Sequence, residues 1–255
     1  MRNVWTICRR ELYSYFVSPI AWVLLALFAV LSGAFTGLST SFFVQETMAS
    51  QMRGQAAPMS VNEMVIAPLF GNISVIGLFI IPLISMRLFA EEKRQGTIEL
   101  LVTSPVHDWE IVIGKWLAAV LMYSALLGVL LLDISFLFIY GSLDWKPVLS
   151  GFLGILLQGS CLLAFGAFIS SLTKNQIVAG AVGFAFALLL WILNWWTSLG
   201  DTPVIRVISY LSIVSHMESF SRGVVDSKDL IYYLSMIFLG LFLTTRSLES
   251  LRWRS

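Results

Sequence analysis

Residues 147–173 read PVLSGFLGILLQGSCLLAFGAFISSLT, with no charged side chain between Lys146 and Lys174. An uncharged run of about 18 or more apolar residues is a membrane span, because ~20 residues of helix cross the ~30 Å hydrocarbon layer. Only a helix or a closed barrel can satisfy its backbone there. Outward from this stretch, comparable gaps between charges occupy 12–45, 64–86, 116–132, 175–200 and 230–245. The third gap continues beyond Asp133 into ISFLFIY, and the last is short enough to need tilt or local thinning of the bilayer. The expected fold is therefore all-α and polytopic, with transmembrane spans at 20–39, 68–86, 111–140, 148–171, 176–197 and 230–246.

Composition agrees with that reading. Hydrophobic residues make up 58% of the 255 and charged residues 12%, against roughly 25% charged in an ordinary soluble domain. So much apolar surface does not fit inside one soluble core. The net charge of +1 says nothing about partners, and no basic patch suggests nucleic acid. Orientation follows the bias of Lys and Arg in short loops. With Met1 inside, the inside segments hold Arg2, Arg9, Arg10, Arg87, Lys93, Arg94, Lys115, Lys174, Arg246, Arg252 and Arg254, which is 11 of the 16 Lys and Arg. Both termini are expected in the cytoplasm of a bacterium, the protein being multi-pass in its inner membrane.

Residues 2–16, RNVWTICRRELYSYF, place Val4, Trp5, Cys8, Leu12 and Phe16 at helical spacing. They read as an amphipathic helix along the inner leaflet. Met1–Ser18 is too long a leading segment for a signal peptide, so this helix is expected to be retained. Ser18-Pro19 breaks it before the first span. Residues 41–65 are polar and weakly patterned and read as an outside loop. Residues 201–229 are half apolar yet carry Arg206, His216, Glu218 and Arg222, and read as one or two half-helices dipping into the outer leaflet. Cys8 and Cys161 fall at different depths and lack a CxxC or His partner, which argues against a disulfide or a metal site.

No chemistry-bearing motif accompanies the spans. Gly114-Lys115 lacks the glycine spacing and hydroxyl residue of a phosphate loop, and neither GxSxG nor HExxH occurs. The chain is expected not to be an enzyme and to hold no cofactor of its own. The longest inside connection, 87–108, contains LFAEEKRQGTIELLVTSPV, where Ile98, Leu101 and Val102 share a helical face between Gly96 and Pro105. It reads either as an interhelical turn resting on lipid head groups or as a short helix that docks a partner.

That run, with DWEIVIGKW after it and SHMESFSRGVVDSKDLIYYLS later, resembles the permease subunits of type-2 ABC exporters, nearest in pattern to the gliding-motility GldF-type and nitrous-oxide-reductase-maturation NosY-type permeases. The resemblance runs along essentially the whole chain. It implies a separately encoded ABC ATPase carrying ATP and Mg, a second permease subunit (identical or homologous), and transport or force transmission across the membrane. A periplasmic accessory protein is a further implied partner. It also implies that the 87–108 region is a coupling helix for the ATPase, with Glu91, Glu92, Gly96, Thr97, Glu99 and Pro105 at the contact, and that helix 2–16 is the family's connecting helix.

Two features stay open on residue grounds. Gly33 and Gly37 form a GxxxG in the first span, and Ala179 and Gly183 lie four apart in the fifth. Both allow close backbone approach, within one subunit or at a permease dimer interface. Asp133 is the one acid expected inside a span, and such a residue suggests function by default. A structural partner such as Arg222, solvent access, or a cargo or proton role each account for it; Arg222 and Asp229 complete a candidate cargo path or outer gate. If Asp133 carried ion coupling, the chain would be a secondary transporter; a membrane scaffold for a periplasmic machine is the remaining alternative.

Overall fold

A computed structural model describes residues 2–54, 60–98, 106–140, 143–195 and 210–252. The regular elements among these residues are all helices, without strands. Six helices are long and apolar enough to cross a membrane, so the protein is an all-α polytopic membrane protein.

Helix α1 (Arg2–Val17) ends at Ser18, whose extended backbone and Oγ, accepting from Ile20 N–H at 3.4 Å, cap α2 (Pro19–Met52). A π-helical turn, Asn62–Ile66, leads into α3 (Ala67–Ser85). The short α4 (Ala90–Gln95) follows, then α5 (Asp108–Tyr140), α6 (Trp145–Leu172), α7 (Gln176–Ile192), the short α8 (Ser215–Ser221) and α9 (Ser227–Arg252). Successive spans alternate in direction, so α1 and α4 gather at one end of the bundle and α8 with the π-helical turn at the other.

Two spans form the centre. The most apolar stretches of α3 and α6 are 61% and 67% buried, against 28% for α2, 22% for α7 and 28% for α9. Glycines decide why α6 can sit there. A Cβ at Gly159 would fall 2.1 Å from Tyr123 Cε1 of α5, and one at Gly166 2.2 Å from Ser85 Oγ of α3. The neighbouring helices occupy space that any other residue would fill. Polar pairs add register: Ser74 Oγ donates to Gln158 Oε1 at 2.8 Å between α3 and α6, and Trp116 Nε1 donates to Ser160 O at 3.0 Å between α5 and α6. Helices α2 and α7 both pack against α3, α5 sits beside α2 and α6, and α9 covers α6.

Two boundaries depart from the sequence expectation. Residues 41–52 are not loop: α2 runs unbroken to Met52, about 51 Å long at 1.5 Å per residue. Thr40, Ser41, Thr47 and Ser50 each return their hydroxyl to a backbone carbonyl three or four residues earlier, which lets a polar segment stay helical. Likewise α9 continues beyond Thr245 to Arg252, with Arg246 paired to Glu249 at 2.7 Å. Of the half-helices expected at 201–229, α8 lies within the described residues, whereas 201–209 lie outside them.

Candidate functional site

The best-organised polar site is at the α1/α4 end. Lys115, on the first turns of α5, is 1% exposed. Its ammonium stands 2.8 Å from Glu11 Oε1 of α1 and 2.9 Å from Glu92 Oε1 of α4, and 5.5 Å from the centre of the Phe89 ring. A buried ammonium is tolerated only when paired; here two carboxylates from different helices share it.

Local sequence explains the approach. Gly114 precedes the lysine, and a Cβ there would lie 2.9 Å from Ile7 Cγ2 and 3.1 Å from Val4 O. The bare backbone at 114 is thus the seat on which α1 rests. Asn3 Nδ2 donates to Glu110 Oε2 at 3.1 Å, and Tyr15 Oη donates to Ile84 O at 3.2 Å, fixing α1 at both ends. Cys8, 1% exposed, lies in this contact; burial, and then the charge of Glu11, push its thiol above the usual range.

Helix α4 is held from a second side. Ser170 Oγ of α6 accepts from the N–H groups of Phe89 and Ala90, at 3.1 and 3.0 Å, and donates to Met86 O at 2.9 Å. Lys93 donates to Ser171 O. Gly96 ends α4 with φ +71°, and both its N–H and that of Thr97 donate to Glu92 O, a Schellman-type stop that a residue with a Cβ would strain.

The residues singled out from sequence divide accordingly. Glu91 pairs with Arg87 at 3.2 Å. Glu92, half-buried, turns one carboxylate oxygen inward to Lys115. Gly96 and Thr97 are exposed together with Arg94 and Gln95. Gly96 closes α4, and the helix expected between Gly96 and Pro105 falls largely outside the described residues. Glu99 and Pro105 lie outside the described residues. Sequence reasoning missed Glu11 and Lys115: the only signal was a lysine at the start of a span facing an acid in an amphipathic helix, 104 positions away.

At the bundle's other end, the candidate gate residues do not meet. Asp133 accepts from Ser32 Oγ of α2 at 2.6 Å. Arg222 pairs instead with Glu218, both exposed. Asp229 Oδ1 lies 2.7 Å from His216 Nδ1, whose Nε2 faces Tyr210 O at 2.9 Å and whose ring stacks on Tyr232 at 3.9 Å. With Tyr233 Oη donating to Ile213 O at 2.7 Å, this cluster ties α8 and the residues before it to α9.

The small-residue stripes also separate. Ala179 and Gly183 are buried within the chain, a Cβ at Gly183 meeting Pro82 Cβ at 3.7 Å. They lie on the side of α7 that packs within the chain. Gly33 and Gly37 of α2 would meet nothing within 4 Å. Among the described residues, no group of three or more His, Cys, Asp or Glu could hold a metal ion.

Comparison with known proteins adds the family. A stretch of 167 residues is 26% identical to the protein named "Probable multidrug ABC transporter permease YbhR" of Escherichia coli K12, covering 63% of this chain and 43% of that protein; the protein of that name in Escherichia coli O157:H7 matches equally. The chain thus spans less than half the length of these relatives. Residues 5–244 match the family described as ABC-2 family transporter protein, and this span takes in most of α1, the Lys115 junction, the first five crossings and most of the sixth. The chain belongs to the ABC-2 family of transporter proteins, as a membrane-spanning ABC transporter component.

Proposed function

We propose that this chain is the transmembrane subunit of an exporter-type ABC transporter, driven by a separately encoded ATPase that docks at the α1/α4 end. The observation that carries this is the Glu11–Lys115–Glu92 junction: it joins α4, whose outer surface is Arg94–Thr97, to the first turns of a span and to α1. The ATPase presses on α4 from outside, and the buried lysine passes the displacement to α5 and α1 together. The count of Lys and Arg supports placing this end in the cytoplasm of a bacterial inner membrane.

A second permease subunit, identical or homologous, covers the face made by α2, α3 and α7. Gly33 and Gly37 leave open backbone there, and Phe79, Leu83, Val178, Val182 and Leu189 are exposed. The route opens between the two subunits when ATP closes the ATPase pair. As to cargo, the sequence pattern points to motility or enzyme-maturation work and the name of the Escherichia coli relative to multidrug export; a periplasmic accessory protein belongs to the former.

The test is co-purification of the tagged full chain with its ATPase in mild detergent, with ATP hydrolysis as readout. Replacing Arg94, Gln95 and Thr97 together is expected to lower ATPase association while membrane insertion stays intact. Unchanged association and unchanged stimulated hydrolysis would sink the reading.

A further inference from the structure

The outward face of α1 presents a shallow, open groove of about 620 Å³ lined by Trp5, Thr6, Arg9, Arg10, Leu12, Tyr13 and Phe16. We infer that it is a binding site for the phosphate group of an anionic glycerophospholipid. The inference rests on α1 lying at the bilayer surface, and not on the cargo or on the ATPase reading.

Three observations carry it. The first is charge. The one acid of α1, Glu11, is turned inward and consumed by Lys115. Among the described residues no ion pair involves Arg2, Arg9 or Arg10, all three exposed. The face is therefore cationic without an internal counter-charge, and an anion completes it.

The second is the order of side chains around the helix. With 3.6 residues per turn, Leu12, Trp5 and Phe16 form one flank, Arg9 and Arg2 follow with Tyr13, and Arg10 lies on the far flank. Apolar groups thus grade into guanidinium groups across the width of the groove, as a site spanning the acyl and phosphate layers requires.

The third is depth. Trp22, on the first turn of α2 and 60% exposed, donates its indole N–H to Phe16 O at 3.0 Å and meets the Phe16 ring edge-on at 6.1 Å. Trp5 and Tyr13 are 63% and 73% exposed. Amphipathic aromatic rings of this kind settle at head-group level, which puts the arginines within reach of lipid phosphate.

The full chain, reconstituted in vesicles of equal phosphatidylcholine and phosphatidylglycerol and extracted in mild detergent, is expected to retain phosphatidylglycerol in excess. R9Q and R10Q should each lower that preference about fivefold, R9K/R10K should keep most of it, and a control K228Q at the opposite end should change nothing. For the wild type, about 1 M salt should abolish the preference through screening, a readout independent of any variant's folding. Equal retention of the two lipids by the wild type, or an unchanged ratio in R9Q/R10Q, overturns the proposal. So does loss of ATPase association in R9Q/R10Q with lipid preference intact, which would assign the face to a protein partner.

Discussion

The ammonium of Lys115 on α5 stands 2.9 Å from the carboxylate of Glu92 on α4. With Glu11 2.8 Å away on the other side, one buried cation is shared by two acids. Substituting Lys115 by Met leaves both acids unpaired, at a cost of about 3–5 kcal/mol, read as a fall in thermal unfolding temperature in detergent. E11Q/K115M/E92Q, with no charge left buried, is expected to recover most of that loss. If the proposed coupling is right, the triple variant still binds its ATPase but stimulates hydrolysis poorly.

Gly114→Val pushes against Ile7 and Val4 O, a cost of about 1–3 kcal/mol, and lifts α1 off α5. Cys8 reports it. In a Cys161→Ala background, the wild-type thiol should react slowly with a water-soluble maleimide near neutral pH. It is buried, and its raised pKa leaves less of the reactive thiolate at neutral pH than an ordinary thiol would have. Labelling in the Gly114→Val variant is expected to be at least about tenfold faster; an unchanged rate would contradict the seating of α1 on Gly114.

The glycines of α2 and α6 should behave oppositely. A Cβ at Gly37 would meet nothing within 4 Å, so Gly37→Leu should leave the unfolding temperature unchanged while weakening self-association, measured by cross-linking or energy transfer in vesicles. Gly159→Ala should destabilise the isolated chain, since its Cβ falls on the Tyr123 ring.

Asp133→Asn keeps an oxygen to accept from Ser32 Oγ. ATP-driven function is expected to survive this change with little loss, while Asp133→Leu, which leaves the Ser32 hydroxyl only its 3.3 Å bond to Ala29 O, should lower stability. Abolished activity in Asp133→Asn, together with dependence on a proton or sodium gradient, would favour the ion-coupled alternative.

The spans were legible because a charge is costly in hydrocarbon, so gaps between charges delimit them directly. Their ends were less so. Residues 41–52 look like loop by composition, yet their hydroxyls fold back on the helix, a local effect that composition does not register. Gly96 was read as one bracket of the segment that runs to Pro105; that it also closes α4 depends on the two N–H groups converging on Glu92 O. The pairings Lys115–Glu11, Asp133–Ser32 and Asp229–His216 join helices whose relative rotation no single-chain periodicity fixes. The same ignorance of rotation made Ala179 and Gly183 look equivalent to Gly33 and Gly37, although the first pair faces α3 and the second faces outward.

Ser170 spends both functions of its hydroxyl on the turn before α4, accepting from two N–H groups and donating to Met86 O. A turn bonded three times to one side chain of the central helix is no hinge. Whatever pushes α4 moves the ends of α3 and α6 with it, so α4 is a handle rigidly fixed to the shaft. Under the proposed coupling, a stroke on α4 enters the bundle at its least compliant point, and any swing that opens a path must be taken up by the loosely packed helices at the rim.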